Sequence, residues 1–294
     1  MQKIVPFLWF DTEARKAAQF YESVFPHTKI RTSTTLEDTP SGTVENITLD
    51  IMGYEVQMMS AGPIFKINPS ISFSVNLKTK EEAKALWDQL SIDGKVLMEF
   101  NAYPWSEGYG WCDDQFGVSW QIMTLGDVPI TQSITPALMF TQEFAGNAEP
   151  AMEFYTEVFK NSKIDGVFRY TAEQAPDKEG TIAHANFVLE GQQFMALDSA
   201  QRHAFKFNEA VSLVVYCEDQ AEIDYLWEKL SAVPESEQCG WLKDRFGVSW
   251  QIVPREMDMM MQTTDKEALA RVTQAFLQMK KFDIAKLRSA FEGT

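Results

Sequence analysis

The sequence predicts an α+β protein, four βαβββ units in a row followed by C-terminal helices. Three observations carry that expectation. "GWCDDQFGVSWQI" (residues 110–122) returns as "GWLKDRFGVSWQI" (residues 240–252), with ten of thirteen positions identical. "QFYESVFPHTKI" returns as "EFYTEVFKNSKI", and "AKALWDQLS" returns as "EIDYLWEKLS". Within each copy, the apolar pattern alternates between strand and helix periods, and does so twice.

Repeats decide an architecture before local readings do. The matched pairs are offset by 134 residues at the Phe-Tyr pair, 140 at the Leu-Trp pair and 130 at the closing motif. A drifting offset means that loops were gained and lost while the elements kept their order. The expected division is two homologous domains, 1–126 and 132–256, joined by the polar stretch "GDVPITQS", with 257–294 as a helical extension.

Taken in order, "KIVPFLWF" reads as a strand, and "TEARKAAQFYESVF" as a helix with Phe20, Tyr21, Val24 and Phe25 at helical spacing. Pro150 falls in the first turn of the matching helix of the second copy, where proline is tolerated. The runs "KIRTSTTL", "TVENITLDI" and "YEVQMMS" are strand-like. The order then restarts with "SISFSVNL", the helix "EEAKALWDQLS", and strands ending in "GYGWCDD" and "VSWQIM". "DQFGV" and "DRFGV" read as turns between antiparallel strands, with Asp opening the turn and Gly supplying positive φ. After each turn, alternation separates Ser119, Gln121 and Met123 from Val118, Trp120 and Ile122; the large apolar set belongs under a helix. In the extension, Thr264 and Glu267 suggest a capping box, and Leu269, Val272, Phe276 and Met279 share one helical face. Ile284, Leu287 and Phe291 suggest a second short helix, and both helices are expected to dock on domain 2 or on a partner subunit.

The composition is that of a globular protein, 45% hydrophobic and 23% charged, with a net charge of -16. Such acidity argues against nucleic acid and anionic membrane surfaces, which are bound through clustered Lys and Arg. Cys112, Cys217 and Cys239 are far apart and odd in number, so neither a disulfide framework nor a zinc knuckle is indicated. With no signal-like or membrane-spanning run, the expected location is the cytoplasm.

A βαβββ unit used twice per domain resembles the vicinal oxygen chelate superfamily, which includes glyoxalase I, extradiol dioxygenases and bleomycin-resistance proteins. "HANFVLEGQQFMALD", "FKFNEAVSLVVYCEDQAEIDYLWEKLS", "CGWLKDRFGVSWQIVP" and "LQMKKFDIAKL" are similar to its PhnB-like branch, often labelled 3-demethylubiquinone-9 3-methyltransferase. The resemblance implies that units pair and curl into two open cup-shaped sheets around a ligand. It also implies an intramolecular pairing of the two domains, or a homodimer. A methyltransferase activity is not expected, because "GYGWCD", the nearest approach to a glycine-rich cofactor loop, leads into a strand.

In metal-using relatives the ligands sit near the start of each unit and in its last strand. The corresponding positions fall near Pro6, Pro136, Ser70 and Glu209, and at Gln121 and Gln251. Prolines and neutral amides make a poor donor set, so no cofactor is expected, the alternative being a weakly held divalent metal. Of three histidines, His27 and His203 lie in loops. His184 sits mid-strand in phase with Asn186 and Val188, and faces either a structural partner or the ligand. With Asp198 and Gln251 it is expected to form a polar cluster in the second cup; Asn46 and Ser60 are the counterparts of His184 and Asp198 in the first copy.

Candidate ligand-binding residues are Gln251, Trp241, His184, Asp198, Phe205, Phe207, Gln121 and Trp111, with Phe65, Tyr103 and Trp105 as further aromatic candidates. The leading expectation is a metal-independent protein that binds or sequesters a small apolar or aromatic molecule. The alternatives are a glyoxalase- or dioxygenase-like enzyme using His184 as acid or base with Asp198 as its orienting carboxylate, or both around a weakly held divalent metal, and a scaffold in which the first copy has lost its site.

Overall fold

The computed structural model describes residues 2–294. The first unit comprises β1 (Ile4–Phe10), α1 (Ala14–Val24), β2 (Lys29–Thr39), β3 (Gly42–Ile51) and β4 (Tyr54–Ser60). The second comprises β5 (Ile71–Leu77), α2 (Lys80–Leu90), β6 (Lys95–Tyr103), β7 (Ser106–Asp113) and β8 (Ser119–Thr124). The third comprises β9 (Ile134–Phe140), α3 (Ala148–Val158), β10 (Lys163–Arg169), β11 (Ile182–Leu189) and β12 (Gln192–Asp198). The fourth has β13 (Val211–Cys217), α4 (Gln220–Leu230), β14 (Trp241–Lys243) and β15 (Ser249–Pro254), followed by α5 (Glu256–Met261), α6 (Lys266–Leu277) and α7 (Ile284–Glu292).

The strands form two open sheets, and each takes one unit from each copy. The seven-stranded sheet runs β14-β15-β13-β1-β4-β3-β2, and the eight-stranded sheet β10-β11-β12-β9-β5-β8-β7-β6. The seams are antiparallel, with Pro6 opposite Leu213 in one and Phe73 opposite Pro136 in the other. Neither cup therefore belongs to one half of the chain. The halves 1–126 and 132–256 are repeats in sequence that interleave in space.

Both sheets bury one face in a common core, which the four unit helices share. Leu8, Phe73, Phe140 and Leu213 from the seam strands and Ala17, Leu86, Met152 and Leu226 from the helices all belong to it. A shared core suits a chain in which each small unit alone would bury too little apolar surface. α2 opens with a capping box, Thr79 accepting from the Glu82 N–H while the Glu82 carboxylate accepts from the Thr79 N–H.

The fourth unit departs from the expected βαβββ. Between Trp227 and Gln251 the offset to the first copy falls from 140 to 130, a shortfall of ten residues, and the fourth unit has no counterpart of the nine-residue β6 of the second. The tail takes the vacated edge: the Cys239 N–H donates to Met279 O (2.8 Å), and the Gly240 N–H to Lys280 O (2.7 Å). α6 is capped by Asp265, which accepts from the Glu267 and Ala268 N–H groups, and not by the expected Thr264. Val272 and Phe276 are buried as expected, but their cluster includes Leu36 of β2 as well as Phe282 and Leu287. The extension thus bridges both copies, beyond the expected docking on domain 2. No helix among the described residues is long and apolar enough to cross a membrane.

Candidate functional site

The repeated closing motif acts on the helix side of each sheet. Asp114 Oδ1 accepts from the Phe116 and Val118 N–H groups (2.8 and 3.1 Å), which closes the turn, while Gly117 supplies the positive φ of 83°. Its Oδ2 accepts from Trp120 Nε1 (2.8 Å) and Tyr21 Oη (2.7 Å). Asp244 repeats all four contacts, with Phe246, Val248, Trp250 and Tyr155. Burial pushes the Asp244 carboxyl up to about 6 and Asp114 in the same direction, against four donors that favour the anion. Each aspartate so ties a helix of one sheet to the hairpin of the other.

On the opposite face the two glutamines meet different neighbours. In the eight-stranded sheet, Gln121 Nε2 donates to Ser72 Oγ and Gln121 Oε1 accepts from Tyr109 Oη, each at 2.8 Å. Trp111 Nε1 donates to Ser119 Oγ at 2.8 Å. Both ends of the Gln121 amide are thus bonded within the sheet. In the seven-stranded sheet, Gln251 Nε2 donates to Ser212 Oγ (3.0 Å), but Oε1 has no partner among the described residues. The residue at the offset of Tyr109 is Cys239, which has no phenol and lies in a turn at φ 51°. Trp241, the counterpart of Trp111, stands edge-on to Phe7 at 5.7 Å and leaves Ser249 Oγ buried and unpartnered.

That freed glutamine opens onto a cavity of about 510 Å³. Its floor includes Phe7, Trp9, Met59, Val214, Trp241 and Gln251, from strands of both copies. Its roof is Met257, Met261 and Phe276 of the C-terminal helices, with Phe282 beyond them. The roof is fastened to β2, whose Thr34 Oγ1 donates to Met261 O at 3.2 Å. At the polar end, Gln57 donates to Tyr216 Oη, and Tyr216 Oη donates to Asp258 Oδ1 (3.0 Å). Burial raises Tyr216 and Asp258, and burial followed by the Asp258 charge raises Glu55. A second space of about 320 Å³ lies over the eight-stranded sheet, between the connecting stretch at Leu125, Val128 and Pro129 and strand residues such as Asn186 and Met195.

The expected cluster of His184, Asp198 and Gln251 does not assemble. Gln251 is in the seven-stranded sheet; His184 and Asp198 are in the eight-stranded one. Register also turns those two to opposite faces, since Asn186 sits opposite Met195 and side chains alternate from there. Asp198 is buried on the helix side, where it accepts from the Gly146, Ala148 and Ile182 N–H groups (2.7, 3.0 and 2.9 Å). It anchors the start of α3, as Ser60 does for α1 through the Ala14 N–H (3.0 Å). Burial lowers His184, whose ring lies 6.4 Å from that of Phe168.

Of the other expected contacts, Gln251, Trp241 and Phe65 line the larger cavity, whereas Gln121, Trp111, His184 and Asp198 line neither space. Phe207 is core, 5.0 Å from Phe140. Phe205 stacks near His203 at 4.8 Å, and His203 Nε2 is 2.8 Å from Ser199 Oγ. Tyr103 and Trp105 stack on each other at 5.1 Å, beside Tyr109. His27 sits in the turn after α1, at φ 53°. Sequence reasoning missed Tyr216, Gln57 and Asp258. Alternation from Ser212 through Val214 would have reached Tyr216, but Asp258 lies on a short helix with no periodic signal.

The residues present do not fit a catalytic metal. Pro6 and Pro136 carry no donor, and Glu209 is bound by Lys243 at 2.6 Å. Among the described residues no three His, Cys, Asp or Glu side chains converge to hold an ion. An adenosyl cofactor loop is also missing at "GYGWCD", which lies inside β7. Its glycines make room for packing: a Cβ on Gly110 would meet the Trp87 ring at 2.7 Å, and one on Gly108 would meet Phe100 at 2.8 Å.

The family model described as 3-demethylubiquinone-9 3-methyltransferase matches residues 2–123 and again 132–253. Protein YjdN of Escherichia coli is 30% identical over 92 residues, which are 31% of this chain and 62% of that protein. The PhnB protein from Bacillus cereus is 30% identical across 42% of this chain and 99% of its own, with a TM-score of 0.39. Glyoxalase I from Zea mays aligns over 87% of this chain and 95% of its own, at 12% identity and a TM-score of 0.55. That last likeness extends through both copies and is one of fold.

Proposed function

Since the chain belongs to the family described as 3-demethylubiquinone-9 3-methyltransferase, with one match in each copy, we propose that it binds a small apolar or aromatic molecule in the cavity over the seven-stranded sheet. In this reading it acts as a binding or sequestering protein and needs no metal. The observation that carries it is Gln251: 7% exposed, held by Ser212 through Nε2, with Oε1 unpartnered at the wall of the cavity. An amide oxygen that makes no internal bond and reaches the cavity is available to accept from a ligand N–H or O–H. Apolar walls with a few convergent polar groups are the usual character of a small-molecule site.

Methyl transfer is not proposed, because the segment nearest to a cofactor loop is a packed strand. An acid–base dyad of His184 and Asp198 is not proposed either, because the two face opposite sides of their sheet. The test is a fluorescence titration with N-phenyl-1-naphthylamine, a neutral aromatic probe with one N–H. Saturable one-to-one binding is expected, weakened roughly tenfold by Gln251→Ala and unchanged by Gln121→Ala. Absence of saturable binding, or equal losses in the two variants, overturns the reading.

A further inference from the structure

We infer that the cavity over the seven-stranded sheet selects organic cations: protonated amines with a flat apolar body. The inference rests on the reading of that cavity as the binding site and adds the chemical class of its occupant. Charged side chains in the wall are Glu209, Glu235 and Asp258; no Lys, Arg or His is among the lining residues. Glu209 is neutralised by Lys243 at 2.6 Å, and Glu235 is exposed. Asp258 remains at the inner end, where it accepts one hydrogen bond from Tyr216. Arg255 lies close enough to Asp258 to favour its anion, but it pairs with Glu218 at 2.6 Å, lies 5.2 Å from the Tyr216 ring centre, and does not line the cavity.

The walls suit the same occupant. Phe7 and Trp241 meet at 86°, and Trp9 and Phe65 at 83°, so ring faces and edges bound the space from crossed directions. Aromatic faces attract a desolvated cation through the ring quadrupole. Gln251, 7% exposed, offers its free Oε1 as the acceptor that an ammonium N–H requires. A carboxylate, sulfonate or phosphate entering the same space would be desolvated beside Asp258 with no counter-charge in the wall. The chain's net charge of -16 adds long-range attraction in the same sense.

The experiment compares three probes on one skeleton with the full chain. They are N-phenyl-1-naphthylamine, its 8-sulfonate, and the analogue with a protonated aminomethyl group in place of the sulfonate. The aminomethyl probe is expected to bind roughly tenfold more tightly than the neutral one, and the sulfonate roughly tenfold more weakly. Asp258→Asn is expected to remove most of the cation's advantage, read as the ratio of the aminomethyl probe's affinity to the neutral probe's in the same variant. A sulfonate that binds as well as the aminomethyl probe overturns the inference, as does an Asp258→Asn variant that shifts all three probes alike. The wild-type series decides even where the variant does not fold. If no probe binds, the reading of the cavity itself fails; if the neutral probe binds and the cation gains nothing, only the choice of ligand class fails.

Discussion

At the closing turn on its helix side the seven-stranded sheet repeats the eight-stranded one bond for bond, Asp244 holding Tyr155 and Trp250 as Asp114 holds Tyr21 and Trp120. On the open side the two differ around one shared chemical feature, a glutamine held by a serine. Gln121 is closed off by Tyr109 and flanked by a bonded Trp111. Gln251 has lost the phenol, Trp241 has turned toward Phe7 and Trp9, and C-terminal helices cover the space that remains. The same residue type thus has both ends of its amide bonded in one sheet and an oxygen without a partner among the described residues in the other. Its neighbours decide, because a side-chain amide has fixed donors and acceptors and its role depends on which of them are already taken.

The sharpest way to break this comparison is to separate the copies. Residues 132–294 alone would leave β9 and β13 without their antiparallel partners β5 and β1. Unpaired strand edges recruit a second chain, so this fragment is expected to self-associate, with light scattering giving twice the monomer mass. A monodisperse monomer that binds ligand would contradict the interleaved sheets.

Next in size are the two buried aspartates. Asp114→Ala and Asp244→Ala each strand two side-chain donors and two backbone N–H groups, a loss on the order of 3 kcal/mol by urea unfolding. The comparison requires near-equal losses, since the four contacts match in both places. A marked inequality would show that the helix sides are not equivalent.

The smallest effect separates the tryptophans. Trp111→Phe removes the bond to Ser119 and is expected to lower stability by about 1 kcal/mol. Trp241→Phe breaks no hydrogen bond among the described residues. It is expected to leave stability nearly unchanged while it weakens probe binding. Urea unfolding and probe titration on both variants give the two readings side by side, and the opposite pattern would place the working cavity in the other sheet.

The repeated elements were legible because each carries a local signal. The Phe-Tyr helix, the Leu-Trp helix and the Asp-x-Phe-Gly turn are all read within a few residues, and alternation placed Trp120 and Trp250 in the core. Alternation also spoke for Gln251 and against Asp198, whose strand neighbours Phe194 and Ala196 are buried on the helix side. The loss of a strand in the fourth unit was present in the offsets, since a shortfall of ten residues is the length of one strand and its turn.

By itself the sequence determined the units, their order, the faces of their strands and the chemistry of the repeated turn, since each depends on spacing within one element. Tertiary structure alone decided which unit pairs with which, that both cups combine the two copies, and that the C-terminal helices close one of them. Those outcomes depend on contacts between residues as far apart as Thr34 and Met261, and no local period encodes a choice among equivalent strand edges.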